Sequence, residues 1–501
     1  MATTAAISCH PKVPLKNITY PLTTWKNPLE ERMKASLVKA VLLVLWGLTA
    51  IAPPIAAQDL SAEQLTRRTV ERRAVEAAIW GMPMVSVDVM REAFFRDAKA
   101  NYNDILYWSK ASDWKFQFTT PNASTHYVYF NFNLKDGPIV LDVPPTVGAG
   151  LFGSLVDAWE VPVSDVGPAG DDQGKGGKYL LLPPGYKQPV PAGYFPLQFE
   201  TVNGYALLRA IPASASQADQ AKAIDLVKQL RLYPLAQASN PPRQNHVDMS
   251  GKLLDGVVKF DDSFYQRLAR MVNEEPVLTR DLVMMGQLRS LGIEKGKAFT
   301  PNEETRAILK DAAEEAHQGF KLAVLGGEPW WPGTQWKLPE GIGPKTGFRF
   351  QTDDALFVDE RGTIFFLAFA APKKLGAATF YVIGGHDADG QLLKGEKTYR
   401  LHVAANVPAK QYWAVTAYDL DTATLIRDMP TPGLDSYNQK MHRNTDGSVD
   451  IYFGPKAPVG HEDNWVPTKS GAAWFAMFRF YGPDKALFDK SWKLDDIEIS
   501  Q

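Results

Sequence analysis

The stretch Tyr127-Val128-Tyr129-Phe130-Asn131-Phe132 is made of aromatic and β-branched residues, the types that suit a pleated strand. Gly137-Pro138 reads as a turn, and Ile139-Val140-Leu141-Asp142-Val143 as a second strand that closes at Pro144-Pro145. Tyr179-Leu180-Leu181-Leu182 and Tyr205-Ala206-Leu207-Leu208-Arg209 add further short strands. Before this block the period is helical. Over 61–80, Leu65, Val70, Ala74, Ala77 and Ala78 share one face while Arg67, Arg68, Glu71 and Arg72 point to water, and a second helix is predicted over 86–100.

Beyond residue 215 the pattern turns helical. A helix is predicted over 218–230, a second behind a capping box of Ser263 and Gln266, and a third started by Thr300, Pro301 and Glu303 and ended by Gly326-Gly327. From about residue 330 strands return. The runs are Thr363-Ile364-Phe365-Phe366-Leu367-Ala368-Phe369, then 379–383, 398–403, 412–418, 449–453 and 474–481, with Asp446-Gly447 as a hairpin turn. Six strands without intervening helices favour an antiparallel sandwich or jelly roll. The expected fold is α+β, with two mainly antiparallel β-sandwich or jelly-roll-like domains connected by a helical segment. The expected divisions are 58–215, 216–340 and 341–501.

Residues 33–57 have the layout of a secretory signal peptide: Lys34 and Lys39, an uncharged apolar run, a Pro53-Pro54 break and a small-residue end, with cleavage expected after Ala57. Residues 1–32 read as a mis-assigned start, with Met33 the true one, or as a cytoplasmic tail before a signal anchor. The expected location is periplasmic or secreted, with membrane contact only through an uncleaved leader. The sole cysteine is Cys9, so the body of the chain can form no internal disulfide. Hydrophobic residues make up 45% of the chain and the net charge is −2 with both signs interspersed, which argues against nucleic acid as a partner.

Nine blocks in order resemble one family. They are Trp80-Gly81-Met82-Pro83; Thr120-Pro121-Asn122; Asp136-Gly137-Pro138-Ile139-Val140-Leu141; Gly177-Lys178-Tyr179-Leu180-Leu181; Leu291-Gly292-Ile293-Glu294-Lys295-Gly296; Tyr399-Arg400-Leu401; Pro408-Ala409-Lys410-Gln411-Tyr412-Trp413; Asn444-Thr445-Asp446-Gly447-Ser448; and Asn464-Trp465. Their order and spacing over roughly 75–495 resemble the bacterial exported proteins that pair the domains of unknown function numbered twelve-fifty-four and twelve-fourteen. The resemblance implies two β domains with a helical connection and brings no established activity. Many members carry an acidic residue two positions after the Asn matching Asn122; this chain has Ser124 there, so no carboxylate role carries over.

Catalytic motifs are weak. Gly148-Ala149-Gly150-Leu151-Phe152-Gly153 has dinucleotide spacing, but Pro144-Pro145 and Pro162 leave no room for the following helix, so a β-turn is preferred. Gly174-Lys175-Gly176 reads as a hairpin loop, since Ala169 and Gly176 break the phosphate-loop pattern. No G-x-S-x-G elbow occurs. His126, His246, His317, His386, His402, His442 and His461 fall in no metal-ligand spacing, and Asp387-Ala388-Asp389-Gly390 lacks the later ligands of a calcium loop. No metal or cofactor is expected.

Trp330-Trp331-Pro332 with Trp336, and Asn464-Trp465, lie in predicted loops, where indoles need cover from core, partner or ligand. The leading expectation is a small or oligomeric ligand held in a cleft between the two β domains. Its candidate lining is Asn122, His126 and Tyr127 with Trp413, Tyr418, His442, Arg443 and Trp465. One alternative is a hydrolase pairing a His with a carboxylate such as Asp157. Another is an envelope structural or assembly protein, with the aromatic loops making homo-oligomer contacts.

Overall fold

In the computed structural model, which describes residues 60–123, 125–214, 216–338, 347–374 and 379–500, the strand His126–Asn133 forms as its composition predicts. It pairs antiparallel with Asn203–Pro212 and with Ile105–Tyr107. The leader at 33–57 and the segment 1–32 lie outside the described residues. The chain is α+β, with helices and strands in several sheets.

Two sheets build the N-terminal β region. One has six strands, in the order His246–Asp248, Ile105–Tyr107, His126–Asn133, Asn203–Pro212, Ala149–Asp157 and Pro162–Val166. The other has four, in the order Arg231–Pro234, Ile139–Val143, Gly177–Leu182 and Tyr194–Gln198. Because side chains alternate along a strand, Val128, Phe130 and Phe132 enter one apolar cluster with Ile139, Leu141, Leu181 and Leu197 of the second sheet. Tyr127, Tyr129, Tyr205 and Leu207 point the other way, into a cluster shared with the helices.

The predicted helix pair is one helix, Ala62–Arg96, which runs straight through Gly81-Met82-Pro83. Every residue from Trp80 to Arg91 is buried, so tertiary packing outweighs the weakness that Gly and Pro introduce. Leu268 of the helix Asp262–Glu274 lies over Gly81, where a β-carbon would come within 2.7 Å of its Cδ1. Pro83 lacks the N–H that would bond Ile79 O, and Gly362 approaches that carbonyl at a point where a β-carbon would sit 2.8 Å away. At the outer end Leu65 is 51% exposed, so the predicted apolar face begins only near Val70.

The run Thr363–Phe369 is not a strand. Up to Leu367 it belongs to the helix Val358–Leu367, which is buried from Arg361 onward, packs on Ala62–Arg96 and Glu303–Leu325, and sets Ile364 and Phe365 against Phe350. A short apolar run covered on all sides has no period to reveal its type. Two caps also shift. Asp261 caps Asp262–Glu274 by accepting from Ser263 N at 2.9 Å, and Asn302 caps Glu303–Leu325 by accepting from Thr305 N at 2.8 Å. Pro301 therefore stands outside its helix. The end at Gly326 is as predicted.

The other C-terminal strands form where expected. Thr379–Gly384, Trp474–Pro483, Ala409–Asp419 and Gly433–Asp435 make one sheet. Trp465–Pro467, Val449–Gly454, Tyr399–Val403 and Glu498–Ile499 make another. Val382, Val415, Phe478 and Phe480 of the first share a core with Leu401, Ile451 and Phe453 of the second. Trp331 and Trp336 enter that core at 1% exposure each, their indole N–H groups bonded to Trp492 O and Asp495 O at 2.8 Å. Their own domain covers them, which removes the observation that favoured an assembly role.

Three loop expectations are corrected. Gly148–Gly153 lies almost wholly in the strand Ala149–Asp157 rather than in a turn. Gly174-Lys175-Gly176 joins strands of different sheets and closes no hairpin. Trp465 begins a short strand, with its Nε1 bonded to Gly454 O at 2.9 Å. Among the described residues, no helix is long and apolar enough to cross a membrane.

Candidate functional site

The helix-side face of the six-stranded sheet meets one face of the C-terminal sheet across a layer of phenols and two guanidiniums. Tyr127 and Arg209 come from the neighbouring strands His126–Asn133 and Asn203–Pro212, which are paired at those two residues. Opposite them, Arg479 and Tyr481 alternate onto one face of Trp474–Pro483, with Tyr381 cross-strand from Arg479 and Tyr412 cross-strand from Tyr481. Asn122 reaches in from the loop before the first strand. Its backbone N–H donates to the Tyr127 hydroxyl at 2.8 Å, and its side-chain amide to the Tyr481 hydroxyl.

Arg479 is 3% exposed. Its Nη2 donates to the Tyr418 hydroxyl at 2.7 Å and to Thr120 O at 3.1 Å, its Nη1 donates to Thr416 Oγ1 at 3.3 Å, and its guanidinium lies 5.3 Å from the Tyr381 ring. Arg209 lies 5.4 Å from the Tyr127 ring and 5.9 Å from Phe152. Among the described residues neither arginine forms an ion pair with a carboxylate. Burial opposes both charges. The surrounding phenols, Tyr127, Tyr381 and Tyr481 around Arg209 and these with Tyr418 around Arg479, more than offset it, so both guanidiniums hold their protons more tightly than usual.

Tyr412 and Tyr481 stack at 4.0 Å with planes 8° apart. Desolvation pushes the Tyr412 hydroxyl to about 12 and that of Tyr481 well above its ordinary value. Yet Arg209, Tyr412 and Tyr481 keep partial exposure. Asn122, Tyr127, Tyr418 and Arg479 form the buried part of this junction between the sheets, and Arg209, Tyr381, Tyr412 and Tyr481 its partly exposed part.

The eight expected residues do not share one cleft. Asn122, Tyr127 and Tyr418 meet at the junction between the sheets. His126, next in the strand to Tyr127, faces away from it; its Nδ1 lies 3.0 Å from Trp108 O and its Nε2 contacts the Gln220 side chain. Trp413 stacks on Phe478 at 5.3 Å inside the C-terminal core. His442 and Arg443 line a separate cavity of about 450 Å³ with Lys440, His461 and Asn464, whose amide bridges His442 O and Asp450 O. Trp465 is next to that cavity in sequence, but its indole is spent on Gly454 O.

Arg209, Tyr381, Tyr412, Arg479 and Tyr481 escaped the sequence reading. A signal existed for two of them: Arg209 is the lone charge in Asn203–Pro212 and Arg479 the lone charge in Trp474–Pro483. A single charge in a core strand needs a reason.

The expected His and Asp157 pair does not form. Asp157 Oδ1 accepts from Trp159 N at 2.8 Å and Val161 N at 3.0 Å, and no histidine bonds to it among the described residues. Among the described residues the one close His–carboxylate contact, His402 Nδ1 to Asp450 Oδ1 at 2.8 Å, is half-exposed and outside both described cavities. Among the described residues, no group of three His, Cys, Asp or Glu is arranged to hold a metal.

With this geometry in view, two family models match the chain. Protein of unknown function (DUF1254) covers residues 102–234, and Protein of unknown function (DUF1214) covers residues 378–485. The chain carries the two domains in the order that the nine sequence blocks indicated. Among solved structures, the VPA0106 protein from Vibrio parahaemolyticus is similar, at 17% identity over 86% of this chain and 100% of that one, with a TM-score of 0.49. An uncharacterized protein from Burkholderia cenocepacia is 12% identical over 87% of this chain and 95% of that one, with a TM-score of 0.39. A search of curated proteins finds no match.

Proposed function

We propose that this is an exported protein whose two sandwich-like β domains hold a small anionic ligand in the recess between them. One observation carries the reading: Arg209 and Arg479 are enclosed by phenols, and among the described residues no carboxylate pairs with either. Both guanidiniums stay charged among neutral acceptors alone, so a ligand that brings a negative charge gains a pairing that the protein itself does not supply. Tyr381 and Tyr481 are partly exposed and offer aromatic contact for an unsaturated or cyclic body, while Tyr412 is already stacked between Tyr437 and Tyr481. The two sheets that share a core in each domain support the sandwich reading. The leader pattern at 33–57 supports export.

The test is a calorimetric and thermal-shift comparison of benzoate and phenyl phosphate with their neutral counterparts, benzamide and benzyl alcohol. The charged compounds are expected to bind and the neutral ones not, and Arg209→Met to abolish the difference. A ligand at 100 times its dissociation constant adds about 2.7 kcal/mol of stability. Equal binding by the neutral compounds, or none by any, would remove the anion reading. Export is checked by sequencing the N-terminus of protein recovered from the periplasmic fraction, where Gln58 is expected first.

A further inference from the structure

A second polar cluster lies within the core, away from the recess and made of other residues. The turn after Ala149–Asp157 sends the Trp159 indole inward, where it packs edge-on against Trp80 at 4.8 Å. Two guanidiniums share this indole: Arg361 lies 4.6 Å from its centre and Arg280 lies 5.9 Å. The next residue, Glu160, is held at φ +60°, a left-handed conformation rare for a side chain of its size.

The cluster is short of acceptors. Arg361 is 0% exposed and spends one Nη2 bond on Trp80 O at 3.1 Å, while its Nε and Nη1 have no partner. Trp159 Nε1 and the Nε and Nη2 of Arg280 are unpartnered too. Against these five donor atoms stands one unused acceptor, Asp281 Oδ2, whose other oxygen takes Trp80 Nε1 at 3.2 Å and whose own charge contact to Arg280 is long, at 3.7 Å. Buried N–H groups of charged side chains are seldom left unmade. A buried water makes about three hydrogen bonds and can accept only two of them, so a single water cannot serve this many donors. Here donors exceed acceptors even though Asp281, Asp157 and Glu200 act on the two cations, which calls for an occupant with several acceptor oxygens.

We propose that the Trp159–Arg361–Arg280 cluster is a binding site for a small oxyanion of the carboxylate or nitrate type. Arg280 is the entrance: it alone of the three is partly exposed, and it reaches outward to Glu200 at 3.8 Å and Gln351 at 3.4 Å. The close approach at Gly362 fixes Arg361 at the crossing of Val358–Leu367 with Ala62–Arg96, so the donors are preorganised.

The experiment uses the whole secreted chain, with formate and nitrate titrated against chloride at equal ionic strength and the melting temperature as readout. Formate and nitrate are expected to raise it beyond chloride in the wild type and equally in Arg209→Met, which separates this site from the recess. Trp159→Phe keeps the ring and drops one donor, so affinity is expected to fall about tenfold; Arg361→Met is expected to abolish binding. Should Arg361→Met fail to fold, Arg280→Met takes its place with the same expectation. A crystal structure grown in formate should show a planar anion between Arg361 and Arg280. Water alone there, or a shift that survives Trp159→Phe and Arg280→Met unchanged, overturns the proposal.

Discussion

The guanidinium of Arg479 donates to the hydroxyl of Tyr418 across 2.7 Å, and that hydroxyl donates onward to Pro121 O, also at 2.7 Å. A C-terminal strand thereby holds the loop that carries Asn122.

Tyr418→Phe takes away an acceptor from a buried charge and a donor from a buried carbonyl. The expected loss is about 1–3 kcal/mol, read from the urea midpoint. An unchanged midpoint would mean that the loop is held by other contacts.

Asp157 sets a pH dependence. Burial raises its carboxyl from the usual 3.8 to about 7, against the two backbone N–H bonds and Arg280, with Glu200 adding to the rise. Between those values the native state keeps a proton that the unfolded chain has released, so stability falls as pH rises from about 4 to about 7 and levels off above. For a shift of this size the contribution is on the order of 4 kcal/mol. Asp157→Asn keeps the acceptor for Trp159 N and Val161 N but does not titrate. Its unfolding free energy, measured across this range, is expected to fall less than that of the wild type; parallel curves would contradict the assignment. Glu160, also raised by burial, acts in both proteins, and less in the variant because Asp157 adds to its rise.

Gly153 owes its place to proximity. A β-carbon there would sit 2.2 Å from Leu207 O of the paired strand, a backbone atom that cannot turn aside. Gly153→Ala is expected to cost about 3 kcal/mol, the upper end for overpacking, as judged by the thermal midpoint. A tolerated alanine would show that this strand pair can separate.

Arg91 is the hub of a buried charge network. It donates to Asp88 at 2.7 Å, to Glu274 at 2.6 Å and to Asn203 at 3.0 Å, beside a cavity of about 620 Å³. Arg91→Met is expected to cost about 3 kcal/mol, since Asp88 keeps Arg267 at 3.1 Å and Arg270 at 2.9 Å. Adding Asp88→Asn should change that cost non-additively in a double-mutant cycle. Simple additivity would argue against coupling.

What the sequence by itself determined is local: strands marked by aromatic and β-branched residues with turn chemistry at their ends, as at Tyr127–Phe132 and Asp446-Gly447, and the order of two domains. Where burial erased periodicity, as at Thr363–Phe369 and around Pro83, only tertiary packing decided the element, because a segment covered on all sides carries no polar face to mark its geometry. The site followed the same division. Asn122, Tyr127 and Tyr418 were legible as candidates, while Arg209, Arg479 and Tyr481 gained meaning only when the two sheets met, since distance in the chain says nothing about which faces oppose each other. His126 shows the converse: one residue from Tyr127 in sequence, it faces the opposite side because the pleat alternates.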